Sequence, residues 1–124
     1  MQYVRIYTDS DGETHFEDLD IELKEVNFAP PAPPVHLSEF KTAKQWMFFV
    51  IPPGWVGDWH PTPMRQAFFY LSGQAEIEVG DGETRIFLPG DACIVEDTTG
   101  KGHRSRTVGD EPSFEVCVQM GDEE

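Results

Sequence analysis

Apolar and polar side chains alternate along much of this chain, the two-residue period of a strand with one buried face, and no stretch holds a helical period over three turns. Tyr3-Val4-Arg5-Ile6-Tyr7 alternates, Asp9-Ser10-Asp11-Gly12 carries turn chemistry, and Thr14-His15-Phe16-Glu17 alternates back, which predicts an N-terminal hairpin. Ile21, Leu23 and the residues up to Phe28 are candidates to extend it. The run Ala29-Pro30-Pro31-Ala32-Pro33-Pro34 lacks the N–H donors a sheet interior needs, so it reads as a stiff linker across the surface. Further strands are expected over 45–51, 66–71, 74–79, 84–88, 92–95, 103–108 and 114–120, most of them separated by Gly- and Pro-containing turns. Many short strands at close intervals predict an all-β antiparallel sandwich or barrel. The expected organisation is an N-terminal β arm with linker over 1–34, a barrel over 35–120 and a solvated acidic tail over 121–124.

Two strands depart from the alternation. Trp46-Met47-Phe48-Phe49-Val50-Ile51 and Ala67-Phe68-Phe69-Tyr70-Leu71 are apolar at both parities, the pattern of a strand covered on both sides. A small lone domain has little with which to cover an outer face, so the expected cover is a homodimer or the N-terminal arm of a second copy.

Composition narrows the partners. The 124 residues make one domain, with 39% hydrophobic and 26% charged residues. Nine Lys and Arg face 23 Asp and Glu, a net charge of −14, and that field repels nucleic acid and anionic membrane surfaces. The start, Met1-Gln2-Tyr3-Val4-Arg5-Ile6, is not an apolar leader, and the expected location is cytoplasmic. Cys93 and Cys117 lie in apolar strand-like segments and read as reduced core thiols. No nucleophile elbow, phosphate-binding loop, dinucleotide fingerprint or C-x-x-C pattern is present.

The candidate chemistry gathers in Gly54-Trp55-Val56-Gly57-Asp58-Trp59-His60-Pro61-Thr62-Pro63-Met64-Arg65-Gln66 and on to Gly73. This segment resembles the first motif of the cupins, G-x5-H-x-H-x3-E-x6-G, with His60 at the first His, Thr62 at the second His, Gln66 at the Glu and glycines at both ends. Gly82, Leu88-Pro89-Gly90-Asp91 and His103 are similar to the second motif, and the resemblance spans about residues 45–119. It implies a double-stranded β-helix, the cupin jelly-roll barrel. The pairing of Asp58-Trp59-His60-Pro61 with the segment from Glu96 to His103 is similar to small single-domain bacterial cupins.

Strand parity adds a cavity. Asp58, His60 and Thr62 share one face, Gln66, Phe68 and Tyr70 another, and His103, Ser105 and Thr107 a third, with Arg104 and Arg106 facing out. Three such strands lining one barrel give apolar walls with a few convergent polar groups, the composition of a small-ligand site. The family's complete motif binds a divalent ion on three His and one Glu. By that resemblance His60, Gln66 and His103 are the candidate ligands for Zn, Ni, Mn or Fe, while the Thr62 hydroxyl is a poor one. The donor set carries no negative charge, so a resident ion and an ion-free cavity both stand as expectations.

Asp58 and Tyr70 are the candidate proton carriers; Trp59, Thr62, Arg65, Phe68 and Ser105 are candidate ligand contacts, with Trp55 and Trp59 at the barrel mouth. Set beside these are plainer readings: Gln66 as a satisfied buried amide, Phe68 and Tyr70 as core, Arg65 as an ordinary ion pair, and Glu96 and Asp97 as loop residues. The expected function is a small-molecule-binding cupin. As an enzyme it would be a metal-dependent isomerase, lyase or dioxygenase acting on a small organic acid or sugar-like compound. The alternatives are a metal-free binding or sensor module and an interaction protein using its apolar outer strands.

Overall fold

The structure is a computed structural model and describes residues 1–121; the acidic tail expected beyond Gly121 lies outside the described residues. Eleven strands form among the described residues: β1 (Gln2–Thr8), β2 (Thr14–Asp20), β3 (Lys24–Val26), β4 (Val35–Leu37), β5 (Ala43–Ile51), β6 (Gln66–Ser72), β7 (Gln74–Glu78), β8 (Thr84–Phe87), β9 (Ala92–Val95), β10 (Arg104–Val108) and β11 (Ser113–Met120). A six-stranded sheet runs β2-β1-β9-β6-β11-β5, and a three-stranded sheet, β10-β7-β8, faces it. The result is an all-β jelly roll in which period-two patterning decides what is inside. On β7, Ala75 and Ile77 point to the core, while Glu76 and Glu78 point out and pair with Arg106 and Arg104 of β10. Ile6, Phe16, Ile51, Tyr70, Val79, Phe87, Cys93 and Val95 complete the core, with Tyr70 stacked on Phe87 at 5.1 Å. Both cysteines are buried and unpaired. No helix among the described residues is long and apolar enough to cross a membrane.

The N-terminal hairpin is built into the large sheet. β1 and β2 pair antiparallel from Gln2 opposite Asp20 to Thr8 opposite Thr14, and β1 lies parallel to β9, with Ile6 opposite Val95. The alternation that predicted the hairpin explains its docking, because Ile6 and Phe16 project from it into the core. The segment that stands apart is the short ribbon β3–β4, which carries the proline run and is exposed nearly throughout.

The outer face of the large sheet explains the two strands without alternation. Register aligns Phe48 with Val116, Phe69 and Ala92 in one row, and Trp46 with Val118, Ala67 and Ile94 in the next. Strand β5 is the sheet's edge, and Trp46 and Phe48 are 61% and 62% exposed. Its other parity, Met47, Phe49 and Ile51, lines the barrel interior.

Candidate functional site

Residues 52–65, between β5 and β6, cross the open end of the barrel and touch the β10 side at two isolated bridges, Val56 to Arg106 and His60 to His103. At the second, the His60 N–H donates to the His103 carbonyl and the His103 N–H donates to that of His60, each at 3.0 Å. Both rings therefore project from one bridge, with centroids 5.0 Å apart. Gly102 makes this approach possible: its φ is +80°, and a Cβ there would lie 1.9 Å from the His60 carbonyl oxygen. The Thr14 hydroxyl, from the N-terminal hairpin, donates to the Gly102 carbonyl at 2.8 Å and holds the turn from behind.

The two imidazoles open onto a cavity of about 290 Å³, near the small end of ligand-site volumes. Its walls are apolar: Met47 and Phe49 of β5, Trp55 of the crossing segment, Phe68 and Tyr70 of β6, and Ile77 of β7. Ser105, Thr62 and Gln66 add polar atoms, as the parity reading expected. Arg104 and Arg106 face outward.

The tautomers follow from the partners. His60 Nδ1 lies 2.8 Å from the Asp58 carbonyl oxygen, which only accepts, so Nδ1–H donates and the neutral ring carries its lone pair on Nε2. His103 Nδ1 lies 2.6 Å from Asp97 Oδ2, and a carboxylate imposes the same tautomer. Asp97 is 0% exposed, and its other oxygen, Oδ1, has no hydrogen-bond partner among the described residues. Its backbone carbonyl accepts from Thr62 N–H at 3.0 Å, so one residue pins both His103 and the crossing segment. Reading Asp97 as a loop residue missed this role, since the contact arises only when the loop of residues 96–103 closes back on itself.

Whether these residues fit the four-ligand centre of the complete motif depends on their free donors. Two Nε2 lone pairs fit. The Gln66 carbonyl already accepts from Gln119 Nε2 at 3.1 Å and Cys117 Sγ at 3.4 Å, and its NH2 donates to the Thr62 hydroxyl at 3.2 Å. Thr62 in turn donates to the Met64 carbonyl at 2.7 Å. No group of three His, Cys, Asp or Glu converges among the described residues. The set offers two neutral nitrogens and does not fit that centre.

Other expected contacts lie elsewhere. The Asp58 carboxylate accepts from the Trp59 N–H at 2.8 Å and borders an outer groove with Arg104 and Arg106, so only its backbone serves His60. Trp59 packs beneath Lys101 and Arg104, away from the cavity. Arg65 binds Glu96 through Nε and Nη2 at 2.8 and 2.7 Å. Burial pushes the Glu96 carboxyl up, but hydrogen bonds from Arg5 and Arg65 outweigh it and hold the group below its ordinary range. Tyr70 is buried against Phe87, and burial raises its phenol well above the usual value.

A second group was missed at the sequence level. Glu115 lines the cavity at 2% exposure, and burial raises its carboxyl to about 7 although the Ser113 hydroxyl donates to it at 2.6 Å. The usable signal was parity, because Glu115 shares a face with Cys117, already read as core.

A cupin domain family model matches residues 47–119, more than half of the chain. Among solved structures, a Cupin 2 conserved barrel domain protein from Salinispora arenicola is 19% identical, with a TM-score of 0.53, over 82% of this chain and 76% of that one. Protein NMB1881 from Neisseria meningitidis is 14% identical, TM-score 0.51, over 81% of this chain and 84% of that one. The DMSP lyase DddQ from Ruegeria pomeroyi is 28% identical, TM-score 0.52, over 64% of this chain, which spans only 39% of the lyase's length. No curated protein matches the chain. The motif spacing, the jelly roll that brings its two histidines to one cavity, and the family match across residues 47–119 agree: the chain belongs to the cupin domain family.

Proposed function

We propose that this cupin binds a small organic molecule in the barrel and moves a proton on it, as an isomerase or lyase, with His103 as the base. The observation that carries this reading is the Asp97–His103 pair beside the cavity. The buried carboxylate fixes the tautomer that leaves Nε2 basic and stabilises the imidazolium formed when Nε2 takes a proton. His60 Nε2 orients the polar head of the ligand, and Phe49, Phe68 and Trp55 hold its body. The partial likeness to a DMSP lyase supports a reaction of the elimination type.

The test is a ligand-observed NMR screen of small carboxylic acids and polyols, followed by incubation of the hits in D2O. Binding that disappears in His103→Ala, with deuterium entering a carbon position of the ligand at a rate lowered about a hundredfold or more by Asp97→Asn, is the expected result. Hits that bind but never exchange identify a binding or sensor module. Hits that survive the combined His60→Ala and His103→Ala change place the ligand elsewhere.

A divalent ion is a second reading, favoured by one observation: both Nδ1 atoms are anchored, which presents both Nε2 atoms in the form that ligates metals. It requires Gln66 to release Gln119 and Cys117. Metal analysis of tag-free protein grown in supplemented medium decides it, and less than about a tenth of an equivalent rejects it.

The partner we propose for the outer sheet face is a second copy of the chain. Rows of apolar side chains two strands or more wide, ending at an edge strand, are costly to leave in water and offer a second copy both an apolar face and a strand edge to pair with. Sedimentation equilibrium is expected to give a dimer for the native chain and a folded monomer for Phe48→Lys. A native monomer at micromolar concentration would rule this out.

A further inference from the structure

Glu115 is a buried acid that the proposed reaction does not use. It stands on β11 in register with Phe49 of β5 and Tyr70 of β6, and its side chain lines the same cavity as the two histidines. Gln119, which binds Gln66 near the histidines, lies four positions further along β11, so the backbone carrying the two polar regions is separated by roughly 13 Å. The cavity thus has two poles, imidazoles at one and a carboxyl at the other, with apolar wall between.

Its surroundings do not satisfy a carboxylate. Ser113 donates to Oε2, and no other hydrogen bond or ion pair reaches the group among the described residues. The titratable groups whose charges couple to it are Tyr70 of β6, Cys93 of β9 and Cys117 of β11, and burial raises the pKa of all three, so each is neutral near pH 7. His60 and His103 face the cavity from its other end. None of these is a fixed cation, and an isolated carboxylate in such a place is costly. Phe49 and Phe68, in edge contact at 5.2 Å, and Tyr70 add aromatic walls, which favour a cationic guest. The net charge of −14 draws cations toward any opening.

We propose that Glu115 receives the ammonium end of a small amine-bearing ligand. This deepens the reading of the cavity as the ligand site and rests on it. The incoming cation supplies the opposite charge that the protein withholds, and the aromatic walls exclude water around the pair. Selectivity follows: a neutral molecule of the same shape fills the cavity but gains nothing from ionisation of Glu115.

Benzylamine and benzyl alcohol, of nearly equal size, serve as probes, with binding to the native chain and Glu115→Gln measured at pH 6 and pH 8. Glutamine preserves the shape and the bond from Ser113, and thermal unfolding checks that the variant is folded. Benzylamine stays protonated at both pH values, so its affinity for the native chain is expected to rise about tenfold from pH 6 to pH 8 as Glu115 ionises, while that of benzyl alcohol does not. Glu115→Gln is expected to abolish that rise and to keep benzyl alcohol binding. Benzyl alcohol binding as well as benzylamine at pH 8, or an amine preference that survives in Glu115→Gln, would overturn the role of Glu115 and leave the cavity reading standing. Failure of the native chain to bind either probe would overturn both.

Discussion

Gly102→Ala is expected to cost about 4 kcal/mol of folding stability and to abolish ligand binding, although alanine adds a single methyl group outside the cavity. Two effects combine. The backbone at φ +80° is a conformation that an L side chain enters at a cost of about 1–2 kcal/mol. The new Cβ also meets the His60 carbonyl carbon at 2.1 Å and its oxygen at 1.9 Å, and both are backbone atoms that cannot swing aside. Relief requires the crossing segment to lift from the β10 side, which breaks the two His60–His103 backbone bonds, worth about 1 kcal/mol each, and parts the rings. Gly90→Ala is the matched control: its φ is +97° and nothing lies within 4 Å of a Cβ there, so only the backbone penalty applies. Urea unfolding of both variants checks the difference. Equal losses in the two would mean that the histidine bridge does not depend on close approach at Gly102.

Glu115→Gln is expected to become the more stable protein as pH rises, by about 3 kcal/mol at pH 8 relative to pH 4. The sign follows from proton counts. In the unfolded chain the carboxyl releases its proton near 4.5, whereas in the folded chain it keeps the proton up to about 7. Between those values the native state binds more protons, so stability declines as pH climbs through the window and levels off above it. The displacement corresponds to about 3 kcal/mol at roughly 1.4 kcal/mol per pH unit. Glutamine cannot titrate, and the other ionisable groups are common to both proteins, so the difference between the two pH–stability curves isolates residue 115. Parallel curves from pH 4 to pH 8 would show that Glu115 is as well solvated in the folded chain as in the unfolded one.

These two sites differ in how they could be read beforehand. His60 and His103 were found because motif spacing and strand parity are local properties of the chain. The same parity turned Ser105 inward and Arg104 and Arg106 outward, because alternate side chains of a strand must take opposite faces. Glu115 obeys that rule too, but parity alone does not say that the inward face of its strand meets a cavity without a cation. Asp58 is a different case. Parity with His60 suggested a shared face, yet residues 52–65 form no continuous strand, so alternation does not carry through them and the Asp58 carboxylate turns to the outer groove. Asp97 had no local signal, because its partner is reached only by closure of a loop.

The sequence by itself determined the strands of the two main sheets, their turns, the inward parity of the alternating strands and the family to which the chain belongs. Those follow from steric and hydrophobic preferences that act within a few residues, or from spacing along the chain. The tertiary structure alone decided that the N-terminal hairpin joins the large sheet, that Asp97 anchors His103, that the Gln66 amide is already engaged, and that Glu115 faces a cavity without a cation. Each of these depends on the closure of a loop, on contacts between residues distant in sequence or on which partners are missing, and a local pattern carries no record of them.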